Sequence, residues 1–268
     1  MKKLFVLSFS IIIILFSNCK SDGVDTTNAA SSDNEITAIN PGDFETNFSL
    51  LPPKETGIIM KNTLSETLKD NFITYPYIFN GGGLAIGDIN NDGLDDIYIG
   101  SNQKSNKLYL NKGNFKFEDI TRKAGVEDAQ GWTSGITMVD INNDGYLDIY
   151  VCKSASVASP ALRKNKLFVN NKNNTFTEAA DQYGIADNGY ASQAYFFDAD
   201  QDQDLDLYLV NHRVDFTNNA KINSEIQRDI RKETSDQFFI NNGNGTFSEI
   251  GQLAGVHQTD WSWSALFA

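Results

Sequence analysis

Apolar and polar residues follow a period of two through much of the chain. From Gly83 onward, apolar residues alternate with polar ones or form short blocks of β-branched and aromatic residues, and Asn- and Gly-rich turns separate these blocks. Such a pattern predicts β-strands. Self-comparison groups the strands into three similar units, at about residues 83–126, 135–185 and 193–256.

Each unit predicts four short strands: one before an Asp-rich loop, one after it, and two around an Asn/Gly hairpin. Four antiparallel strands that recur at intervals of roughly 50–60 residues predict the blades of a β-propeller. The fold class predicted for residues 48–268 is therefore all-β, a partial β-propeller built from four-stranded antiparallel blades.

Two further segments resemble parts of a unit. Residues 261–268 line up with the first strand of the second and third units, so a fourth unit begins at Trp261. In both earlier copies the next residue is the first Asp of the loop, and we expect a longer polypeptide to continue in this way. Residues 48–58 resemble the end of a unit and are predicted to supply an outer strand.

Each unit also carries a loop of oxygen-bearing side chains with a fixed spacing. Asp or Asn stands at loop positions 1, 3, 5 and 9, and the main-chain carbonyl at position 7 offers a further oxygen. Because about six to eight hard oxygens suit Ca²⁺, the sequence predicts three calcium sites. The candidate ligands are Asp88, Asn90, Asp92, Leu94 and Asp96 in the first loop, Asp140, Asn142, Asp144, Tyr146 and Asp148 in the second, and Asp198, Asp200, Asp202, Asp204 and Asp206 in the third.

Two alternatives to such a loop are an EF-hand and a plain polar hairpin. An EF-hand requires Glu at position 12, where this chain has Ile99, Val151 and Leu209 inside predicted strands, so the EF-hand is excluded. Carboxylates packed this closely repel one another without a cation, which argues against plain hairpins. The loops hold no His or Cys, which disfavours zinc and copper. In the third loop Gln203 replaces the Gly of position 6, where a left-handed backbone costs about 1 kcal/mol.

The repeated segments resemble the FG-GAP/VCBS repeat. The resemblance rests on GLAIGDINNDGLDDIYIG at 83–100, GITMVDINNDGYLDIYVC at 135–152 and QAYFFDADQDQDLDLYLV at 193–210. Repeats of this family occur in integrin α chains and in bacterial surface proteins of the UnbV-like and cartilage-acidic-protein-like groups. The resemblance implies a propeller, often seven-bladed, with calcium in the loop between the first two strands of a blade. It does not identify a ligand, because one fold hosts many functions.

The N-terminus has the features of an export signal. Two lysines precede an apolar stretch at 4–16, which is shorter than the roughly 20 residues of a membrane-spanning helix and has the length of a signal-peptide core. The following Cys19 resembles the acylated cysteine of a bacterial lipobox, although Asn18 departs from the strict pattern. We predict a lipoprotein signal peptide at 1–18 with lipid on Cys19. Ordinary secretion with a free N-terminal cysteine is the alternative.

Residues 19–47 are rich in Ser, Asp, Asn and Thr and poor in large apolar residues, which predicts a flexible tether. Relaxed lipoboxes of this kind resemble those of Bacteroidota lipoproteins. The resemblance implies an outer-membrane lipoprotein at the cell surface of a Gram-negative, Bacteroidota-like bacterium, held to the membrane through its N-terminal lipid.

Composition narrows the function classes further. The formal net charge is −13, which disfavours nucleic-acid binding because that affinity rests on clustered Lys and Arg. The two cysteines are Cys19 and Cys152, so a lipid on the first leaves the second without a disulfide partner. Cys152 follows an apolar strand and is predicted to be a small buried residue.

Several aromatic residues and histidines are candidates for other roles. Trp132, Tyr190 and Trp261 occupy one repeat position, and either packing between blades or stacking on sugars explains them. His212 and His257 have no Ser or Cys partner that the sequence reveals, so no catalytic residue is assigned. The insertion at 215–235 contacts a partner or covers a blade edge, and both explanations stay open.

These observations favour a binding module: a calcium-stabilised propeller on a surface lipoprotein that recognises an extracellular glycan or protein and is not an enzyme. The alternative is the propeller part of a secreted polysaccharide lyase or hydrolase, whose catalytic residues lie on loops or beyond residue 268. A structural role in an outer-membrane assembly is a third hypothesis.

Overall fold

The computed structural model of the protein describes residues 48–68, 70–155, 159–212 and 232–258. The signal peptide, the tether, Cys19, Trp261 and most of the 215–235 insertion lie outside these residues. No helix within the described ranges has both the length and the apolar character needed to cross a membrane.

The described strands form three antiparallel sheets of four strands each, and the strands follow chain order across every sheet. The prediction of four strands in each of three units is confirmed. The first sheet contains β1 (Leu84–Gly87), β2 (Asp96–Ile99), β3 (Lys107–Asn111) and β4 (Phe117–Asp119); the second contains β5 (Trp132–Val139), β6 (Asp148–Ser154), β7 (Lys166–Asn170) and β8 (Phe176–Glu178); the third contains β9 (Ala191–Phe197), β10 (Asp206–Asn211), β11 (Gln237–Asn241) and β12 (Phe247–Glu249).

The register of each first hairpin gives the sheets two distinct ends. In the second sheet, Val139 pairs with Asp148 beside the Asp-rich loop, and Trp132 pairs with Ser154 at the opposite end. We call the end that carries the loops at 88–96, 140–148 and 198–206 the loop end, and the opposite end the far end. The second strand of the second sheet, β6, is buried along its whole length because strands and neighbouring sheets cover it.

A single helical turn follows the last strand of each sheet: α2 (Thr121–Ala124), α3 (Ala180–Tyr183) and α4 (Gly251–Ala254). Each turn ends at a glycine in the left-handed region, with φ near +75° in all three, which is the conformation that closes a short helix. The segment 48–58 ends in the same way, at Gly57. The outer strand predicted there is not formed. Pro53–Thr56 is instead a helical turn, α1, because proline lacks the N–H of a strand ladder and favours the first turn of a helix.

Adjacent sheets pack face to face through their first strands. Ile136 and Met138 of β5 join the apolar core of the first sheet, next to Tyr98 and Leu108. The second and third sheets share an equivalent core around β9. A hydrogen bond also crosses this boundary, where the Thr137 hydroxyl donates to the Ala194 carbonyl at 2.8 Å.

The first sheet keeps an uncovered face on β1. Leu84 and Ile86 occupy the repeat positions of Ile136 and Met138, yet they are 54% and 57% exposed. The described residues therefore form three propeller-like blades and not a closed ring.

Candidate functional site

The Asp-rich loops join the first two strands of each sheet. Positions 4 and 6 of every loop have positive φ, which reverses the chain twice within a few residues. Glycine fills position 6 in the first two loops. In the third loop Gln203 adopts φ of 77°, so a residue with a side chain accepts the left-handed conformation there.

The carboxylate at position 1 closes each loop by accepting backbone hydrogen bonds. Asp88 accepts from the N–H groups of Asp92 at 3.2 Å and Gly93 at 2.7 Å. Asp140 accepts from the corresponding N–H groups of the second loop at 2.9 and 2.8 Å. Burial opposes ionisation of Asp88, but these backbone hydrogen bonds outweigh it and lower the pKa of the carboxyl group. The Asp88 side chain is therefore an ionised oxygen donor held inside its loop.

The carboxylate at position 9 ties each loop to the third strand of its sheet. Asp96, Asp148 and Asp206 are all fully buried. Asp148 accepts from the Ile141 N–H at 3.2 Å and from the Asn170 N–H at 2.7 Å, and the other two make the equivalent pairs of bonds.

Burial also changes the acidity of these side chains. Desolvation, together with the charge of the neighbouring loop carboxylates and opposed by the backbone hydrogen bonds, raises the pKa of Asp96 and of Asp148 to about 6. A cation bound within the loop would relieve the repulsion between these carboxylates.

The third loop brings three carboxylates together most closely. One oxygen from each of Asp198, Asp200 and Asp202 lies within 4.8 Å of the others. Oδ1 of Asp204, at position 7, is buried without a hydrogen-bond partner. Partial burial, followed by the charge of Asp202, raises the pKa of Asp204 to about 6. An orphaned buried oxygen beside converging carboxylates fits a hard cation such as Ca²⁺.

The first and second loops contact each other across the boundary between their sheets. Nδ2 of Asn91 donates to the Gly145 carbonyl at 2.9 Å. Nδ2 of Asn170 donates to the Ile89 carbonyl of the first loop at 2.8 Å and to the Leu147 carbonyl of the second at 3.0 Å. These two asparagine side chains fix the relative position of the two loops.

The far end holds a cluster of residues from the second and third repeats and from the segment that precedes the first repeat. Nε2 of His212 lies 3.2 Å from both the Tyr75 hydroxyl and the Ser154 hydroxyl, and Tyr75 donates to Ser154 at 3.1 Å. The ring centroid of Tyr77 lies 4.5 Å from that of the imidazole. The structure therefore places beside His212 a serine that the sequence did not reveal. Ser154 and Tyr75 lie 58 and 137 residues from His212 along the chain, so local spacing carried no signal.

The far-end cluster is a packed structure. Trp132 and Tyr190 are each only 5% exposed, which favours packing between blades over stacking on a sugar for these two rings. Ser154 is fully buried, and burial lowers the pKa of His212 to about 4. Cys152 is buried and free, as predicted, and burial raises the pKa of its thiol.

Comparison with known proteins agrees with this geometry. Residues 88–151, from the first metal loop to the strand after the second, match the family model of the FG-GAP-like repeat. This part of the chain carries an FG-GAP-like repeat. It is 34% identical to cartilage acidic protein 1 of Xenopus tropicalis over 93 residues, which cover 35% of this chain and 14% of that protein.

Two further relatives carry similar segments. The chain is 35% identical to cartilage acidic protein 1 of Mus musculus over 69 residues, 26% of this chain and 11% of that protein. It is 33% identical to integrin alpha-8 of Gallus gallus over 128 residues, 42% of this chain and 12% of that protein. The chain thus matches well under a fifth of the length of each of these relatives.

Proposed function

We propose that the FG-GAP-like repeats form part of a calcium-stabilised propeller that binds an extracellular protein or glycan. The observation that carries the calcium assignment is the convergence of carboxylate oxygens in the third loop beside the orphaned oxygen of Asp204. The first two loops repeat the same backbone path with Asn at position 3. In each loop, the side chains at positions 1, 3, 5 and 9 and the position-7 carbonyl would hold the ion.

Calcium bound in these loops would stabilise the folded protein. A loop joins the first two strands of a sheet, and its position-9 carboxylate also reaches the third strand, so one ion would secure three strands. Binding to the native state alone stabilises it by about 2.7 kcal/mol per site when free calcium is a hundredfold above Kd.

The binding role is supported by the similarity to an integrin chain and to cartilage acidic protein 1. The N-terminal signal with Cys19 supports a lipoprotein at the outer membrane, in contact with the extracellular medium. The far end also favours a binding role over an enzymatic one. The hydroxyl of Ser154, next to His212, is fully buried, so a substrate cannot reach it.

Calorimetric titration of the full-length protein with calcium tests the metal assignment. We expect wild-type protein to take up calcium and Asp140→Ala to take up one ion fewer, with a lower melting temperature. Glu118→Ala, which removes an exposed carboxylate outside the loops, is the matched control and should bind as the wild type does. No calcium uptake by the wild type, or equal uptake by Asp140→Ala, contradicts the assignment.

Arrays of glycans and extracellular proteins, probed with and without EGTA, then test the binding role. We expect at least one ligand that is retained only when calcium is present. Hydrolysis or eliminative cleavage of an array glycan would favour the enzyme instead.

A further inference from the structure

The hairpin between the third and fourth strands has the same length in all three sheets, and one of the positions at which its sequence differs lies close to the metal loop. Position 2 after the last Asn of the third strand is Gly113 in the first sheet, Lys172 in the second and Gly243 in the third. All three have positive φ, and each backbone N–H donates to the side chain of that Asn. The lysine therefore occupies a backbone site that the other two sheets give to glycine.

This hairpin position faces position 7 of the metal loop in every sheet. A Cβ atom placed on Gly113 would lie 4.0 Å from the side chain of Leu94, and one placed on Gly243 would lie 3.6 Å from Oδ2 of Asp204. In the second sheet the Lys172 ammonium lies 5.4 Å from the ring centroid of Tyr146, the position-7 residue.

The lysine also reaches a candidate ligand directly. Its Nζ lies 3.4 Å from Oδ2 of Asp144, which is position 5 of the second loop. The side chain of Asp144 is 22% exposed and that of Lys172 is 48% exposed, so solvent screens the pair only in part. The second loop thus contains a cation of its own where the first and third have none at the equivalent position.

We propose that Lys172 sets the calcium affinity of the second loop below that of the first. The inference rests on the proposed calcium function. The two loops share the same side chains at positions 1, 3, 5 and 9, so their ligand sets do not separate them. Calcium in the second loop must displace the ammonium from Asp144 and then bear its repulsion. A monovalent and a divalent charge about 6–12 Å apart in a water-like dielectric change affinity by about three- to tenfold.

The test compares calcium affinities in the full-length protein at about 50 mM and 500 mM NaCl. Lys172→Gln should tighten one site about three- to tenfold at low salt, and the gain should shrink at high salt as the charges are screened. Lys172→Arg keeps the charge and should bind as the wild type does. Lys112→Gln removes an exposed lysine from the hairpin of the first sheet and controls for net charge.

A double variant shows which calcium loop Lys172 affects. In an Asp140→Ala background, which disables the second loop, Lys172→Gln should leave the remaining affinities unchanged. A structural role alone would change the melting temperature in EGTA and leave the salt dependence of affinity as it was. Calcium uptake with equal affinities in wild type and Lys172→Gln overturns the role of Lys172 and leaves the calcium assignment intact. Failure of the wild type to take up calcium overturns both.

Discussion

The loop end and the far end of the three sheets are held together by different forces. At the loop end, the same Asp-rich segment occurs three times, its side chains are largely exposed, and the hydrogen bonds of its position-1 carboxylate join residues a few positions apart. At the far end, Tyr75, Ser154 and His212 come from three distant parts of the chain and meet in one packed cluster. Repulsion between the concentrated negative charges reduces stability at the loop end, and the cost of burying polar groups reduces it at the far end.

The two ends should therefore respond to different perturbations. Like charges confined to a loop are relieved by a cation, so the loop end should respond to calcium and to salt. A neutral imidazole between two hydroxyls is disturbed by a proton, so the far end should respond to acid. Substitutions or solution conditions that act on one end only test whether the two ends differ in this way.

The largest effect is expected for Asp148→Ala at the loop end. It removes the acceptor of two buried N–H groups, those of Ile141 and Asn170, and each unsatisfied group costs about 1–3 kcal/mol. Relief of repulsion among the loop carboxylates offsets part of this cost. We expect a loss of about 2–4 kcal/mol in the free energy of unfolding, measured by urea titration in EGTA.

The matched control is Asp144→Ala in the same loop, at position 5. Its carboxylate is partly exposed, so in EGTA this variant should lose much less stability than Asp148→Ala. Equal stability of the two variants without calcium would show that the position-9 carboxylate does not tie the loop to the third strand.

A smaller effect is expected for acid at the far end. The pKa of folded His212 is about 4, below the ordinary value near 6.5, so only the unfolded chain takes up a proton between these values. The stability contributed by the neutral imidazole is complete above about pH 6.5. It is lost as the pH falls toward 4, by an amount on the order of 2–3 kcal/mol.

His212→Gln isolates this contribution because glutamine does not titrate. The described titratable groups around the imidazole are the phenols of Tyr75, Tyr77 and Tyr190, which stay neutral in this range. The loop carboxylates titrate alike in both proteins. We expect the difference in unfolding free energy between wild type and variant to fall from pH 7 to pH 4; a pH-independent difference contradicts the buried neutral imidazole.

The sequence predicted the loop end well and the far end poorly, for a physical reason. A metal loop and a strand are local patterns, so the period of two was sufficient for the three four-stranded sheets, and the Asp spacing located the carboxylates that converge in the third loop. Calcium binding by the three loops stays a prediction. The contact of His212 with Ser154 depends on how separate blades pack, which no local pattern encodes. The helical turn at Pro53–Thr56 was missed because similarity to the other repeats outweighed its two prolines. Lipid on Cys19 and a fourth unit at Trp261 stay predictions.

The most direct test of the central claim is amide hydrogen exchange of the full-length protein with and without calcium. Amides that exchange by local opening report the stability of each region separately. We expect calcium to slow exchange at 88–96, 140–148 and 198–206, and to leave exchange at 75–79 and 151–154 unchanged. Slower exchange at the far end alone, or no change at either end, would contradict a fold whose loop end depends on a cation and whose far end depends on packing.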